Sequence, residues 1–492
     1  MLALTARCGG SPSSPAPPAA DAEACIPSTY IRCASPAGCA GFQVCNAQGS
    51  GYAACECDGT AGGLDAGTDA SGADSIAADA DEGGDAAGTA IGAGVPISSS
   101  SQDVFESEDQ LAVAPDGTIV IAWIAIVRAA PGSWIAYRFS KDGGATFSSI
   151  GRLSLPTGLA GSDPAVAVDA AGNFYLAALG VHFTGTGQAA DYTRVFVAKA
   201  ASGGTAFGAP VEVSNPSPTF LYDHPKILVT ASGTIVVSFA QFTSMMATTN
   251  GGLAATSRDG QTWRIGTIVD AASMQMANLF WLCEGAGILY AAYLEATPTD
   301  AHIALRSSTD QGMTWSSASG IVSLASEIPA GLDPTCVASG NDVWVAYATN
   351  TSPATDPTTL LDSAQTIRVA HSADRGSTVG ATRMDALDTA AGMLGLLPVL
   401  VREPGGALDV AYLSGNSEGD ATGSMRYART AGARFGASVG VDRPLLFTMK
   451  RNTATWLGDY LGAVVSGGKL LLAYPMNAGG ATHIYFRSMP LP

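Results

Sequence analysis

The sequence is poor in basic residues and has none over one long stretch. Lys and Arg total 24 against 42 Asp and Glu, which gives a formal net charge of −18. Residues 1–100 carry 11 acidic and 2 basic side chains, and no Lys or Arg occurs between Arg32 and Arg128. Since contact with phosphate groups requires a basic patch, this composition predicts no nucleic-acid partner and disfavours an anionic membrane surface.

The sequence also lacks an apolar run long enough to cross a membrane. The stretch "GTIVIAWIAIV" (117–127) is only 11 residues long, whereas a spanning helix needs about 18 or more. The first residues, "MLALTARCGG", contain an apolar run too short for a signal peptide. We therefore expect no transmembrane segment.

One N-terminal cysteine stands before a flexible stretch. Cys8 followed by "GGSPSSPAPPAA" resembles the lipid-attached cysteine and tether of a bacterial lipoprotein, although Arg7 departs from the small residue that such sites require. Either the true start lies upstream or the resemblance is accidental, and both interpretations stay open. Residues 1–24 are expected to be a tether or a targeting remnant.

Six of the nine cysteines fall within residues 25–57. They are Cys25, Cys33, Cys39, Cys45, Cys55 and Cys57. Because so short a segment cannot bury a core, we expect three disulfides and an oxidising, extracytoplasmic compartment. Zinc is the competing interpretation, but the segment has no C-x-x-C pair and no His.

Residues 58–92 are acidic, rich in Ala and Gly, and free of aromatic side chains. Such a composition cannot bury enough apolar surface to offset its ordering entropy, so we predict a disordered spacer. Asp65, Asp69 and Asp74 are regularly spaced and could be calcium ligands, but a solvated tether is the favoured interpretation.

Residues 93–492 are periodic. Seven windows such as "PDGTIVIAW" (115–123) and "SGGKLLLAY" (466–474) place a turn residue just before an apolar run. These turn residues recur every 54 to 65 positions: Gly117, Gly172, Gly233, Gly287, Asn341, Gly406 and Gly468. Short β-rich runs at this period predict an all-β fold, a seven-bladed β-propeller with four-stranded blades. The last unit lacks a fourth strand, and we expect residues 94–100 to supply it and close the ring.

A second repeated pattern, S-x-D-x-G-x-T-W, falls between the third and fourth strands of four units. Its acidic residues are Asp142, Asp259, Asp310 and Asp374. A short carboxylate at such a position binds backbone N–H groups of its own turn, and the following aromatic packs between sheets. The pattern resembles the Asp-box of the sialidase-like (BNR repeat) propellers. That resemblance implies that the boxes are structural and lie on the blade periphery.

Candidate site residues come from counting nine positions back from each turn residue, since propellers bind ligands at the mouth of the central channel. The residues reached are Glu108, Asp163, His224, Asn278, Leu397 and Asp459, with Asp333 in the fifth unit by matching Pro334 to Pro164 and Pro225. Asp223 adjoins His224, and Tyr460 adjoins Asp459. Glu108, Asp163, Asp333 and Asp459 are the candidate catalytic carboxylates, while Asp223, His224, Asn278 and Tyr460 are candidate ligand-binding residues.

Two interpretations of this ring stay open. Asp before Pro at the start of a strand often caps local backbone, which would make the ring structural. A functional ring of converging carboxylates would suit a hard cation such as Ca²⁺ or acid–base cleavage of a glycosidic bond.

The resemblance does not extend to sialidase activity. A sialidase holds its substrate carboxylate with three arginines, the first in a Phe/Tyr-Arg-Ile-Pro segment that is missing here. We expect only Arg128, Arg402 and Arg451 near the channel mouth. Tyr460 resembles the sialidase nucleophile, but packing against the next blade is the favoured role.

The sequence therefore predicts an exported, monomeric propeller that recognises an extracellular glycan or protein. Glycoside hydrolysis and a purely structural propeller are the alternatives. Cys283 and Cys336 fall in inner strands of neighbouring blades, where two free thiols and an interblade disulfide are equally compatible with the sequence.

Overall fold

A computed structural model represents the chain, which divides into two compact units, Met1–Ala77 and Ala78–Pro492. The structure describes residues 30–34, 40–44, 56–57, 94–98, 104–127, 132–183, 190–215, 220–243, 250–270, 276–296, 301–316, 320–321, 328–329, 333–350, 365–378, 384–387, 393–416, 421–431, 434–441, 445–447, 456–478 and 481–491. Within these ranges every regular element is a strand. Among them we find no helix long and apolar enough to cross a membrane.

The N-terminal unit contains a small antiparallel sheet. Its strands β1 (Tyr30–Ala34), β2 (Ala40–Val44) and β3 (Glu56–Cys57) pair in that order. The side chains of the six clustered cysteines, the spacer 58–92 and Cys8 lie outside the described residues. The expected disulfides, spacer and lipid attachment therefore stay predictions.

The second unit is the predicted seven-bladed β-propeller. The short strand β4 is Val95–Pro96. Blade 1 comprises β5 (Val104–Val113), β6 (Ile119–Val127), β7 (Ser133–Ser140) and β8 (Gly151–Arg152), and blade 2 comprises β9 (Ala160–Val168), β10 (Phe174–Phe183), β11 (Ala190–Ala200) and β12 (Val211–Glu212). Blade 3 comprises β13 (Leu221–Val229), β14 (Ile235–Phe242), β15 (Asn250–Ser257) and β16 (Arg264–Val269). Blade 4 comprises β17 (Met276–Gly285), β18 (Ile288–Ala296), β19 (Ala301–Ser308) and β20 (Gly320–Ile321).

Blades 5 and 6 carry additional short strands. Blade 5 comprises β21 (Ile328–Pro329), β22 (Thr335–Ser339), β23 (Asp342–Asn350), β24 (Gln365–Ser372) and β25 (Met384–Leu387). Blade 6 comprises β26 (Met393–Arg402), β27 (Leu408–Asn416), β28 (Ala421–Ala431), β29 (Arg434–Phe435), β30 (Val439–Gly440) and β31 (Leu445–Phe447). Blade 7 contains β32 (Gly462–Ser466), β33 (Lys469–Ala478) and β34 (Ala481–Pro490).

The N-terminal strand completes blade 7, as the sequence predicts. β4 pairs antiparallel with β34, so that Val95 lies opposite Phe486 and Pro96 opposite Tyr485. The Ile97 amide then donates to the Ile484 carbonyl at 3.0 Å. This pairing joins the two ends of the propeller chain and covers what would otherwise be an exposed sheet edge.

The core lies between neighbouring blades. The aromatic residues that follow the turn residues are fully buried: Trp123, Phe239, Tyr293, Tyr347, Tyr412 and Tyr474. Each packs in an apolar cluster with side chains from adjacent blades, and one cluster joins blade 7 to blade 1 through Trp123, Ile484 and Phe486. The aromatic position that recurs in the sequence therefore corresponds to a contact that recurs between neighbouring blades.

Cys283 and Cys336 form a disulfide, which decides between the two alternatives left open by the sequence. Their Cα atoms are 5.8 Å apart, and both side chains are buried. The bond joins the inner strand β17 of blade 4 to the inner strand β22 of blade 5.

The Asp-boxes are turns between the third and fourth strands, and they bind their own backbone. In blade 4, Asp310 accepts a hydrogen bond from the Thr314 amide at 2.8 Å and one from its hydroxyl at 2.6 Å. The Ser308 hydroxyl accepts from the Gly312 amide at 2.9 Å, where φ is +88°. Trp315 donates its indole N–H to the Gly312 carbonyl and packs against the core between blades 3 and 4. The same bonds recur at Asp142 and Asp374, and a shorter version recurs at Asp259.

Candidate functional site at the channel face

Irregularities in the inner strands position the candidate site. Five inner strands carry a register shift next to a residue with left-handed backbone: Glu108 (φ 55°), Asp163 (49°), His224 (47°), Leu279 (60°) and Leu397 (52°). A bulge of this kind redirects a side chain out of the regular strand alternation. Left-handed backbone costs a residue other than Gly roughly 1–2 kcal/mol, so the surrounding blades must hold it in place.

The bulges coincide with the counted positions in four blades. In blade 4 the left-handed residue is Leu279, one position after Asn278, which pairs with Leu294 in the sheet. In blade 6 the bulge presents Leu397, a buried apolar side chain. Blade 6 therefore contributes no charged side chain to the ring at its counted position.

Blades 5 and 7 place their acidic residues differently. Asp333 and Asp459 stand just before the inner strands β22 and β32. The Asp333 amide donates to the Asp459 carbonyl at 3.3 Å. The backbone of blade 5 thus contacts that of blade 7 directly, although blade 6 lies between them in the chain.

His224 lies at the centre of the predicted ring. Its Nδ1 is 3.6 Å from Asp333 Oδ1 and 3.9 Å from Asp163 Oδ1. Its Nε2 is 3.7 Å from Asp223 Oδ2 and 3.8 Å from Asp459 Oδ2. One imidazole therefore faces carboxylates from four blades, two on each ring nitrogen.

Lys226, on the same strand as His224, neutralises one of these carboxylates. Its Nζ lies 2.7 Å from Asp333 Oδ2 and 2.9 Å from the centroid of the Tyr460 ring. The Tyr460 hydroxyl donates to the Pro164 carbonyl at 3.1 Å. Tyr460 therefore packs between blades and also covers the lysine.

The contacts of these carboxylates test the interpretation that the aspartates of the ring only cap local backbone. Asp223 does bind backbone, since its Oδ1 accepts from the His224 amide at 3.0 Å. Carboxylate oxygens of Asp163, Asp333 and Asp459 also lie 3.6 to 3.9 Å from the nitrogens of the His224 ring. Chemically, the arrangement can bind a cation or accept hydrogen bonds from a ligand, and Asp163, Asp223 and His224 are close enough together to hold a metal ion.

Burial and mutual repulsion shift the pKa values within the cluster. Burial raises the pKa of Glu108 well above its usual value, and nearby Asp163 and Asp459 raise it further against a lowering by Lys226. Burial also raises the pKa of Asp223 to about 6, although His224 opposes this rise. For His224, burial favours a lower pKa, but Asp223 and the three other carboxylates outweigh it and the pKa is raised. Burial, then the surrounding carboxylates, raise the pKa of Tyr460 far above 10, so its hydroxyl stays protonated.

Two buried ionisable residues next to ring positions in the sequence were missed by counting from the turns. Lys226 and Asp109 both lie on inner strands, and Asp109 Oδ2 accepts a hydrogen bond from the Gly462 amide of blade 7 at 3.0 Å. The available signal was a charged residue within an otherwise apolar inner strand, as in "YDHPKILV" (222–229). Counting from the turns samples one position per strand and passes over such neighbours.

The expectation for Arg402 is wrong. Arg402 is the last residue of β26, paired with Leu408 at the turn, whereas the bulge of that strand lies at Leu397. It therefore stands at the opposite end of the inner strand from the ring. Arg128 and Arg451 lie outside the described residues.

Comparison with known proteins supports the fold and leaves the activity open. No protein-family model matches the sequence. No curated protein matches it either. Among solved structures, a Dyadobacter fermentans protein of unknown function aligns with a TM-score of 0.50 and 14% identity, covering 81% of this chain and 98% of that one. At this identity the likeness shows the propeller fold alone.

Other solved structures that align are sialidases. The Hadza microbial sialidase Hz136 aligns with a TM-score of 0.47 and 13% identity, over 79% of this chain and 66% of that one. The phage phi92 endosialidase aligns with a TM-score of 0.48 and 9% identity, over 81% and 69%. The chain spans 57% of the length of Trypanosoma rangeli sialidase, to which it is 13% identical with a TM-score of 0.44.

Proposed function

We propose that this protein is an exported propeller that recognises a glycan at the channel face. The observation that carries the proposal is the convergence of Asp163, Asp223, Asp333 and Asp459 on His224, from four different blades. Such a cluster of buried charges has a large desolvation cost, and structural capping of single turns does not require it.

The charge of the cluster favours a neutral glycan over an acidic one. Lys226, the basic side chain that contacts the ring among the described residues, is already paired with Asp333. Carboxylates accept hydrogen bonds from sugar hydroxyls but repel a sugar carboxylate. Trp281, which is partly exposed and lies 5.4 Å from Lys226 Nζ, adds an aromatic surface near the same position.

Export is supported by the interblade disulfide and by the cysteine-rich N-terminal segment. Disulfides persist in oxidising compartments and are rare in the cytosol. Cys283 and Cys336 form such a bond inside the propeller. A spacer at residues 58–92 would hold the propeller away from a surface to which the N-terminus is attached, which suits a receptor or an adhesin.

One contact favours glycoside hydrolysis as a second candidate. Burial, and then the neighbouring Asp163 carboxylate, raise the pKa of Glu108, so Glu108 is the carboxyl of this pair that favours holding a proton. Glycosidases use a carboxyl of raised pKa as general acid together with a second carboxyl across the scissile bond. Against this candidate, Glu108 is 1% exposed and Asp163 is 5% exposed, whereas the Asp223 side chain is 24% exposed. A glycan can therefore meet the cluster at Asp223, but it would reach the Glu108–Asp163 pair only after the site opened.

The test is binding of the full chain to a glycan array together with turnover of fluorogenic glycosides, sialosides included. Asp459→Asn should weaken glycan binding at least tenfold, because it removes one of the carboxylates around His224. Asp116→Asn, on an exposed turn at the other end of blade 1, is the control and should bind as the unmodified protein does.

Each outcome of this test decides between the candidates. Binding without turnover supports a recognition propeller. Turnover that disappears in Asp163→Asn makes the protein a glycosidase. If the folded chain shows neither glycan binding nor turnover, the glycan proposal is rejected. A protein ligand then remains, and binding assays with purified extracellular proteins would test for it.

A further inference from the structure

His224 combines deep burial with an unused ring nitrogen. The residue is 7% exposed, and its Nδ1 has no hydrogen-bond partner. A buried polar atom without a partner costs about 1–3 kcal/mol. The backbone of His224 also adopts the left-handed conformation, with φ of 47°. The fold therefore holds this imidazole in an unfavourable position and leaves it unsatisfied there.

The carboxylates stand too far from the ring nitrogens for hydrogen bonds. Asp163 faces Nδ1 and Asp223 faces Nε2, so an ion shared by the two would take one ring nitrogen and one oxygen from each carboxylate. All four carboxylate oxygens lie 3.6 to 3.9 Å from the nearer ring nitrogen, beyond the roughly 3.2 Å of a good N–H···O bond. Ligand atoms on one tetrahedral Zn²⁺, each about 2.0–2.2 Å from the ion, stand about 3.3 Å apart. One ligand atom each from Asp163, Asp223 and His224 lie within 4.8 Å of one another.

We propose that Asp163, Asp223 and His224 bind one divalent transition-metal ion of the Zn²⁺ or Mn²⁺ type. The imidazole decides the class, since Ca²⁺ and Mg²⁺ take oxygen ligands whereas nitrogen together with carboxylate suits Zn²⁺ and Mn²⁺. Three protein ligands leave a coordination position for water or for a ligand oxygen.

The remaining charged groups of the cluster have roles compatible with this ion. Each ring nitrogen faces two carboxylates, so coordination through one leaves the other to donate to a carboxylate, as metal-bound imidazoles commonly do. The Lys226 ammonium is held by Asp333 and the Tyr460 ring. The Asp223 side chain is 24% exposed and forms the side of the cluster that an ion can reach from solvent.

The direct test is a titration of the full chain with the metal alone, after dialysis against a chelator. Mn²⁺ is the discriminating probe because free Mn²⁺ is counted by electron paramagnetic resonance. The cysteines of the N-terminal segment would bind Zn²⁺ as thiols but have little affinity for Mn²⁺. We expect one Mn²⁺ per chain, and elemental analysis of the freshly purified protein should find Zn²⁺ or Mn²⁺.

Matched variants separate this site from other acidic surfaces. Asp223→Asn and His224→Gln should weaken Mn²⁺ binding at least tenfold. Asp169→Asn, at the turn that ends the inner strand of the same blade as Asp163, should leave it unchanged. Asp223 is the most exposed ligand, so its variant should fold, and thermal unfolding checks each protein.

Equal Mn²⁺ affinity in the unmodified chain and in folded Asp223→Asn would overturn the proposal. Binding of Ca²⁺ with no response to Mn²⁺ or Zn²⁺ would overturn the assignment of the metal class. The titration uses no glycan, so its result does not depend on the proposed recognition function. A glycan proposal that fails leaves the metal site standing, and the reverse also holds.

Discussion

The Lys226 ammonium and the Asp333 carboxylate form a buried ion pair at 2.7 Å between blades 3 and 5. The two residues are 3% and 2% exposed. The ring of Tyr460, from the chain segment leading into blade 7, lies 2.9 Å from the same ammonium. Three blades that are not neighbours in the ring are therefore joined at the axis by a single lysine.

Removing one member of this ion pair should be more damaging than removing both. Lys226→Met leaves the Asp333 carboxylate buried without its cation, and we expect a loss of about 3–5 kcal/mol in the free energy of unfolding. Guanidinium unfolding of the full chain measures it. The double variant Lys226→Met/Asp333→Asn leaves no such charge, so its loss should be smaller than the loss in Lys226→Met alone. Additive losses would show that the two charges are not coupled.

Asp109 should make stability fall as pH rises. Burial raises its pKa to about 8, against a partly offsetting hydrogen bond from Gly462. Between the unfolded value near 4 and this folded value, the native state holds a proton that the unfolded chain has lost. Its contribution to stability is therefore present at low pH and disappears as the pH rises through this window.

Asp109→Asn removes this titration while retaining an oxygen for the Gly462 amide. Relative to the unmodified protein, the variant should gain at least about 1 kcal/mol between pH 5 and pH 8. Urea unfolding at both pH values measures the gain. Asp116→Asn is the control, because hydrogen bonds from Thr118 lower the pKa of Asp116 and keep it ionised across the window. A gain of the same size in the control would contradict the assignment.

The sequence predicts the fold well because each blade repeats one local solution. A turn that contains a left-handed Gly, a buried apolar strand and, in six of the seven blades, an aromatic side chain at the interblade surface recur with a fixed spacing. Trp123 and Tyr474 illustrate this: both were found by counting from a turn, and both are fully buried between blades. Closure by residues 94–100 was predictable because blade 7 is one strand short.

The candidate site was only partly predictable, because it depends on contacts between distant blades. Counting found His224 and its acidic neighbours, but it could not show that the Asp333 amide reaches the Asp459 carbonyl. It also passed over Lys226, whose role depends on an aspartate about 100 residues away in the sequence. The bulges recur at a fixed distance from the turns in four blades, but the contacts that their side chains make depend on how distant blades pack at the axis, which no local pattern encodes.

The Cys283–Cys336 disulfide should contribute substantially to stability. It closes a loop with a sequence separation of 53 residues, and loop-closure entropy alone corresponds to about 4 kcal/mol for that length. The double variant Cys283→Ala/Cys336→Ala should therefore unfold at lower guanidinium concentration. Cys336→Ala alone is the control, since it frees the Cys283 thiol, which alkylation after unfolding then detects. A double variant as stable as the unmodified protein would contradict this contribution.

Gly458 should be more sensitive to substitution than a glycine of similar backbone conformation. Its φ is +92°, and a Cβ at this position would lie 2.8 Å from the Glu108 amide nitrogen and 2.6 Å from Glu108 Cγ. Gly468 has φ of +73° with open space around a Cβ, so alanine there should cost only the roughly 1–2 kcal/mol of left-handed backbone. Gly458→Ala adds a clash with backbone and should cost at least about 1 kcal/mol more. Chemical unfolding measures the loss in the free energy of unfolding for each variant. Equal losses would mean that the contact between blades 7 and 1 adjusts easily to an added methyl group. A larger loss at Gly458 would mean that close packing against Glu108 fixes one wall of the acidic cluster.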